Sequence, residues 1–246
     1  MIAIDVSRVI AVVRKELRDY RRKRSIVVGM LILPAIFLIE PVLAVFLGAQ
    51  DPVGDPSYRA PLLLLLLIPV ITPSTLAAYT VAGEREQGTL EPLLTTPVRR
   101  QEFILGKAAA VMIPSLALSY VVFGLYFPVV RLFANPAIAA GIFNEGPLLL
   151  AVFLFTPLLA GWAIVVGMAV SVRAGEIRVA QQLGMIASLP PLGIVVLMVT
   201  GVIEPTFTAA LAFAALLLAV DLLALRGISG MFDRERLVTG SKASTP

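Results

Sequence analysis

Ser25-Ile-Val-Val-Gly-Met-Leu-Ile-Leu-Pro-Ala-Ile-Phe-Leu-Ile-Glu-Pro-Val-Leu-Ala-Val-Phe-Leu47 is an apolar run with one ionisable side chain, Glu40. It is long enough to cross the hydrocarbon core of a bilayer as a helix, which takes roughly 20 residues. Five further runs of this kind follow, at about Pro61–Ala82, Phe103–Val130, Pro147–Val172, Leu183–Ile203 and Thr206–Leu225. The composition calls for the same reading. Of 246 residues 59% are hydrophobic and 15% charged, with a mean hydropathy of +0.94, where an ordinary soluble domain carries roughly a quarter charged residues. A water-soluble fold cannot hide that much apolar surface. The expected fold class is an all-α integral membrane protein of about six transmembrane helices, a single domain over residues 1–246 with no room for a separate soluble module.

The flanks of the runs give the orientation. Lys and Arg accumulate on the cytoplasmic side of short connections. Eight lie between Arg8 and Arg24, then come Arg85, Arg99, Arg100 and Lys107, Arg173 and Arg178, and Arg226, Arg234, Arg236 and Lys242. Six crossings place these eighteen on one side and only Arg59 and Arg131 on the other, so both termini are expected in the cytoplasm. Before the first run, residues 4–24 show Val6, Val9, Ile10, Val13, Leu17 and Tyr20 at helical spacing with basic residues around them, which predicts an N-terminal amphipathic helix on the membrane surface. Charged residues this numerous ahead of the first apolar run do not fit a signal peptide, so the segment is expected to be retained. Residues 226–246 form a cytoplasmic tail. Glu204 and Pro205 make either an outer surface turn or part of a re-entrant hairpin.

Several chemistries are excluded by residue type. The chain has no cysteine and no histidine, which removes disulfides, thiol nucleophiles, imidazole bases and the usual zinc sites. No metal site, no catalytic residues and no nucleic-acid partner are expected, the basic charge being accounted for by membrane topology. Gly106-Lys107 is not a phosphate loop, because that motif needs a glycine where Gln101 stands and a Ser or Thr where Ala108 stands. Lys107 reads instead as a side chain reaching to the interface at the start of the third run.

The connection between the second and third runs, residues 83–102, is the most informative. Leu90, Leu93 and Leu94 fall at i, i+3 and i+4, predicting a short helix with one apolar ridge between Glu84, Glu86 and Glu91 and the basic pair Arg99 and Arg100. Such a ridge needs either a protein partner or a lipid surface to lie on. Glu84-Arg85-Glu86, Gly88-Thr89-Leu90-Glu91 and Leu93-Leu94, followed by Thr96-Pro97-Val98, Arg100 and Gly106-Lys107, resemble the signature of the type 2 ATP-binding-cassette (ABC-2 type) exporter permeases. Arg14-Lys15-Glu16-Leu17-Arg18 ahead of a span containing Pro34 is similar to how these permeases begin.

The resemblance implies a permease subunit in a prokaryotic plasma (inner) membrane that works by alternating access. It implies pairing with a second copy or close relative, and two cytoplasmic ATPase subunits that bind the ATP and Mg, so that this chain needs no cofactor. Carried over residue by residue, Glu84, Arg85, Glu86, Gly88, Thr89, Leu90, Glu91, Leu93 and Leu94 would form a coupling helix and its supports against the ATPase.

Within the runs, ionisable groups are few, and each is expensive in a bilayer. Glu40 is a candidate for the translocation path, or marks an outer helix break beside Pro41. Asp221 could neutralise a basic neighbour such as Arg226. Ala163, Gly167 and Ser171 form a small-residue stripe that allows close packing, within the chain or across a dimer. The hydroxyls Thr72, Ser74, Thr75, Ser115, Ser119, Thr156, Ser188 and Thr200 favour an apolar or amphiphilic cargo over a charged one. A self-sufficient secondary transporter or ion channel is the alternative, but the spans show no convincing inverted repeat and very few intramembrane charges. A membrane enzyme lacks a catalytic constellation.

Overall fold

The computed structural model describes residues 4–47, 60–86, 88, 99–144, 146–204 and 206–231, and among these there are helices and their connections but no strand. We number the helices α1 (Val6–Arg22), α2 (Arg24–Leu47), α3 (Ala60–Ala78), α4 (Ala82–Glu86), α5 (Arg100–Phe133), α6 (Pro136–Asn144), α7 (Gly146–Arg173), α8 (Ile177–Ser188), α9 (Pro190–Val199) and α10 (Phe207–Met231). Six stretches among the described residues are long and apolar enough to cross a membrane: Arg24–Phe46, Leu64–Glu86, Gln101–Phe133, Gly146–Arg173, Ile177–Met198 and Phe207–Gly227. These are the six runs read from the sequence, and the chain is a multi-pass membrane protein.

The details depart from apolar run lengths in three places. The second span does not run straight to Ala82. It ends at Ala78, turns over residues 79–81 and restarts as α4. The fifth span begins earlier than Leu183, at Ile177, and breaks after Ser188, where Pro190 has no N–H to continue the ladder. The connection after the third span contains α6, with Asn135 as its cap (Asn135 Oδ1 accepts from Ala137 N–H at 3.1 Å) and Ile138, Ala139 and Ile142 buried.

The second span is the hub of the bundle. α3 packs against α2, α5, α7, α8 and α9, and 78% of the second span's apolar window is buried, against 17% for the first. Small residues let its neighbours close in. A Cβ on Gly167 of α7 would fall 2.7 Å from the Ala77 Cβ, and one on Gly184 of α8 would fall 3.2 Å from Ser74 Oγ. The Ala163, Gly167 and Ser171 stripe is buried inside the chain, with Gly167 and Ser171 directly on this hub. The prolines are accommodated by neighbours. Pro157 leaves the Phe153 carbonyl without its helical donor, and the Tyr120 hydroxyl of α5 donates to it at 3.3 Å while the Tyr120 and Phe153 rings stack.

At the end of the bundle away from α1, Leu62, Leu65, Leu66, Phe123, Tyr126, Val152 and Phe155 form a dry core, with Phe155 and Phe213 edge to face at 4.9 Å.

Candidate functional site

α1 lies along the first turns of α5. Its cap is Asp5, which accepts from the Ser7 N–H at 2.9 Å, and Asp5 in turn donates its own N–H to Glu102 Oε1 at 3.0 Å. Glu102 Oε2 accepts from the Arg99 N–H at 2.9 Å, so one buried carboxylate ties together the beginnings of α1 and α5. Further along, a Cβ on Gly106 would sit 2.6 Å from the Val12 Cβ, so α1 rests almost directly on the α5 backbone. The helical pattern read from the sequence is rotated in the structure. Val6 and Ile10 are exposed, and the inward face carries Val9, Val12, Val13, Glu16, Leu17 and Tyr20.

Glu16 is on that face for a reason. Lys107 is fully buried and does not reach to the interface as the sequence suggested. Its Nζ lies 2.8 Å from Glu84 Oε1 and 3.2 Å from Glu16 Oε1, and 4.9 Å from the centre of the Phe103 ring. Lys15 completes the cluster, with Nζ 2.9 Å from Glu16 Oε1, 3.2 Å from Glu84 Oε1 and 3.3 Å from Asp19 Oδ2. Two ammonium groups and two buried carboxylates thus join α1, α4 and α5. Burial alone would raise the Glu16 carboxyl, but Lys107 and Lys15 outweigh it and hold it below the usual glutamate range. Burial pulls on Lys15 in the opposite sense, and Glu16 and Glu84 overcome it, leaving the ammonium harder to deprotonate than a free lysine. Tyr20, buried beside them, is pushed well above the ordinary tyrosine value by burial and by the carboxylates of Glu16, Glu84 and Asp19.

The next two residues of the motif point the other way. Arg85 donates from Nη1 to the Ala174 carbonyl at 2.8 Å and from Nη2 to the Val172 carbonyl at 3.2 Å, closing the end of α7. Glu86 Oε1 accepts from the Ile177 N–H at 2.7 Å at the start of α8. A cation thus sits on helix C-terminal carbonyls and an anion on a helix N-terminus, each where the helix dipole favours it. Just before α4, Ser171 Oγ donates to the Ala78 carbonyl and accepts from the Val81 and Ala82 N–H groups at 3.1 and 2.9 Å, satisfying backbone groups at the break. Gly88 follows at φ +66°, a left-handed turn that glycine adopts without strain. Thr89, Leu90, Glu91, Leu93 and Leu94 lie outside the described residues. The charged half of the motif is therefore joined to four helices of its own chain, a wiring that sequence spacing did not reveal.

Other sequence candidates are scattered. Glu40 is exposed on α2 and takes no part in this cluster. Asp221 is buried against α7 and makes no ion pair with Arg226 among the described residues. Thr75, Ser115, Ser119, Thr156, Ser188 and Thr200 donate to carbonyls of their own helices, which removes them as free groups along a path, whereas the Thr72 and Ser74 hydroxyls of the central span are buried with no hydrogen-bond partner among the described residues. A cavity of about 290 Å³ opens between α2, α3 and α8. Ser25, Tyr79, Gln181 and Gln182 give it hydrogen-bonding groups and Ile26, Met30, Leu33, Leu76 and Met185 apolar walls, with no charged side chain among the described residues of its lining.

No curated protein matches this chain. Residues 12–175, which run from α1 through the ion cluster to the end of α7, match the family described as ABC-2 family transporter protein. That match covers more than half of the 246 residues, and the chain accordingly belongs to the ABC-2 transporter family as one of its membrane-spanning components.

Proposed function

We propose that the chain is the permease subunit of an ATP-driven exporter in a prokaryotic plasma (inner) membrane, with both termini cytoplasmic. It pairs with a second copy or a close relative and takes its energy from two cytoplasmic ATPase subunits that bind ATP and Mg. The observation that carries this reading is the wiring of Glu84, Arg85 and Glu86 to α1, α5, α7 and α8. A push on the loop that begins here reaches the third, fourth and fifth spans through bonds that are short, charged and geometrically fixed. Leu90, Leu93 and Leu94, with Thr89 and Glu91, supply the contact surface, Gly88 the turn before it, and the charged triplet the transmission.

Alternating access then consists of two arrangements of the spans biased by the state of the ATPase. The cleft between α2, α3 and α8, whose described lining carries no charged side chain, favours a neutral or amphiphilic cargo, and Glu40 joins the path only where the second subunit covers the α2 face. The test is co-expression and co-purification with an ABC ATPase subunit, followed by Leu93→Asp and Glu86→Ala. Leu93→Asp is expected to abolish assembly. Glu86→Ala is expected to preserve assembly and lower transport per ATP hydrolysed. Unchanged assembly and unchanged coupling in both variants would overturn the assignment.

A further inference from the structure

Asp221 lies within the sixth span, fourteen residues after Phe207 and six before Gly227, in the last third of the apolar stretch. It is 5% exposed. Its Oδ1 is buried with no hydrogen-bond partner, and the carboxyl group makes no ion pair among the described residues. The space it occupies is created by a glycine: a Cβ on Gly161 of α7 would fall 2.8 Å from Asp221 Oδ2, 3.5 Å from its Cγ and 3.9 Å from Met112 Cε of α5.

The helices packed most closely on α10 are α7 and α5. Neither Gly161 nor Met112 titrates. Of the titratable groups on those helices, Lys107 is held by Glu84 and Glu16 and the Tyr120 hydroxyl is spent on the Phe153 carbonyl. Arg226, on the same helix, is exposed and does not pair with Asp221. An isolated carboxylate in such surroundings would cost several kcal/mol or more, which a carboxyl group avoids by keeping its proton.

We propose that Asp221 is a proton-binding site: a carboxylic acid held neutral where α7 packs on α10, which releases its proton only when these two spans part and water or a cation reaches it. α7 is also the helix that Ser171 and Arg85 join to the α4 segment, so proton occupancy and the packing of the fourth span are linked. Protonation favours the closed packing of α7 on α10, and opening of that seam favours ionisation. The assignment does not depend on the ATPase contact, and its test needs the permease chain alone.

The test is infrared difference spectroscopy on the full chain in lipid nanodiscs, wild type against Asp221→Asn, from acid to mildly alkaline pH. The expected result is a protonated-carboxyl carbonyl band at neutral pH in the wild type that is absent from Asp221→Asn, with the variant melting at least as high as the wild type. Hydrophobic carbodiimide gives a second readout that needs no variant, because it modifies protonated carboxyl groups in apolar surroundings. Asp221 is expected to be labelled at neutral pH, and Gly161→Ala, which crowds Oδ2, is expected to reduce that labelling severalfold. A carboxylate signature at neutral pH, or labelling of Asp221 only in acid, overturns the proposal.

Discussion

The two ends of this bundle are held together by different physics. At the apolar end Leu62, Leu66, Phe123, Val152, Phe155 and Phe213 interlock through apolar contacts. At the basic end, Lys107, Lys15, Glu16 and Glu84 join α1, α4 and α5, and Arg85 and Glu86 join α4 to α7 and α8. In a bilayer, moving an apolar side chain from lipid to protein gains little transfer energy, so the apolar end relies on close packing. The basic end relies on a few directional bonds between segments far apart in sequence. Packing is distributed and resists change. A handful of bonds can be made or broken together, which suits the end where energy would enter.

That contrast can be broken most severely at Lys107. Lys107→Met leaves the buried Glu16 and Glu84 carboxylates with only the half-exposed Lys15 between them and is expected to cost about 3–5 kcal/mol, read as a lowered melting temperature of the purified chain. Replacing Lys107 together with Glu16→Gln and Glu84→Gln should recover most of that loss. At the apolar end, Phe155→Ala is expected to cost about 2–3 kcal/mol, below the usual range for a soluble core because in a bilayer the transfer part of the loss is small and mainly the cavity part remains. A loss as large as that of Lys107→Met would show the two ends to be equivalent.

Gly106→Ala, which forces a methyl against Val12, is expected to cost about 1–2 kcal/mol and to loosen α1, detectable as faster proteolysis near residues 20–24. Val12→Gly in the same chain, which removes the Cβ that the new methyl meets, should relieve the clash. Glu86→Ala removes the anion at the start of α8 and should cost about 1 kcal/mol in the same melting assay.

The smallest effect is that of pH near neutrality. Glu16 titrates below the usual glutamate range in the folded chain, so its contribution is complete above the unfolded value and is lost as pH falls through the folded one. Lys15 is raised, so its contribution is complete below the unfolded lysine value and is lost only as pH rises through the folded one. The basic end should therefore be flat across the neutral range and weaken in strong acid and strong alkali. A melting-temperature scan of the wild type against Glu16→Gln checks this: the acid loss should shrink in the variant.

Run length and charge bias made the six spans legible, because crossing a bilayer constrains every residue of a span at once. The family signature was legible as well, since it is contiguous. Lys107 was not. It sits at the start of a span, where a lysine reaching to the interface is the local expectation, and its burial is set by Glu84 and Glu16, which lie 23 and 91 residues away in sequence. The rotation of α1 escaped for the same reason: period counting favours Ile10 over Glu16 on a buried face until Lys107 is there to meet it. The break after Ser188 left a trace in Pro190-Pro191, and α6 left one in Asn135-Pro136.

Ser171 carries one more consequence. A single hydroxyl serves three backbone groups across the joint between α3 and α4, and small rotations about the Cα–Cβ bond let its oxygen follow them. Beyond the reach of that one side chain all three bonds fail together. The joint therefore has the character of a detent rather than a free hinge: small torques are absorbed elastically, and a sufficient one releases it in a single step.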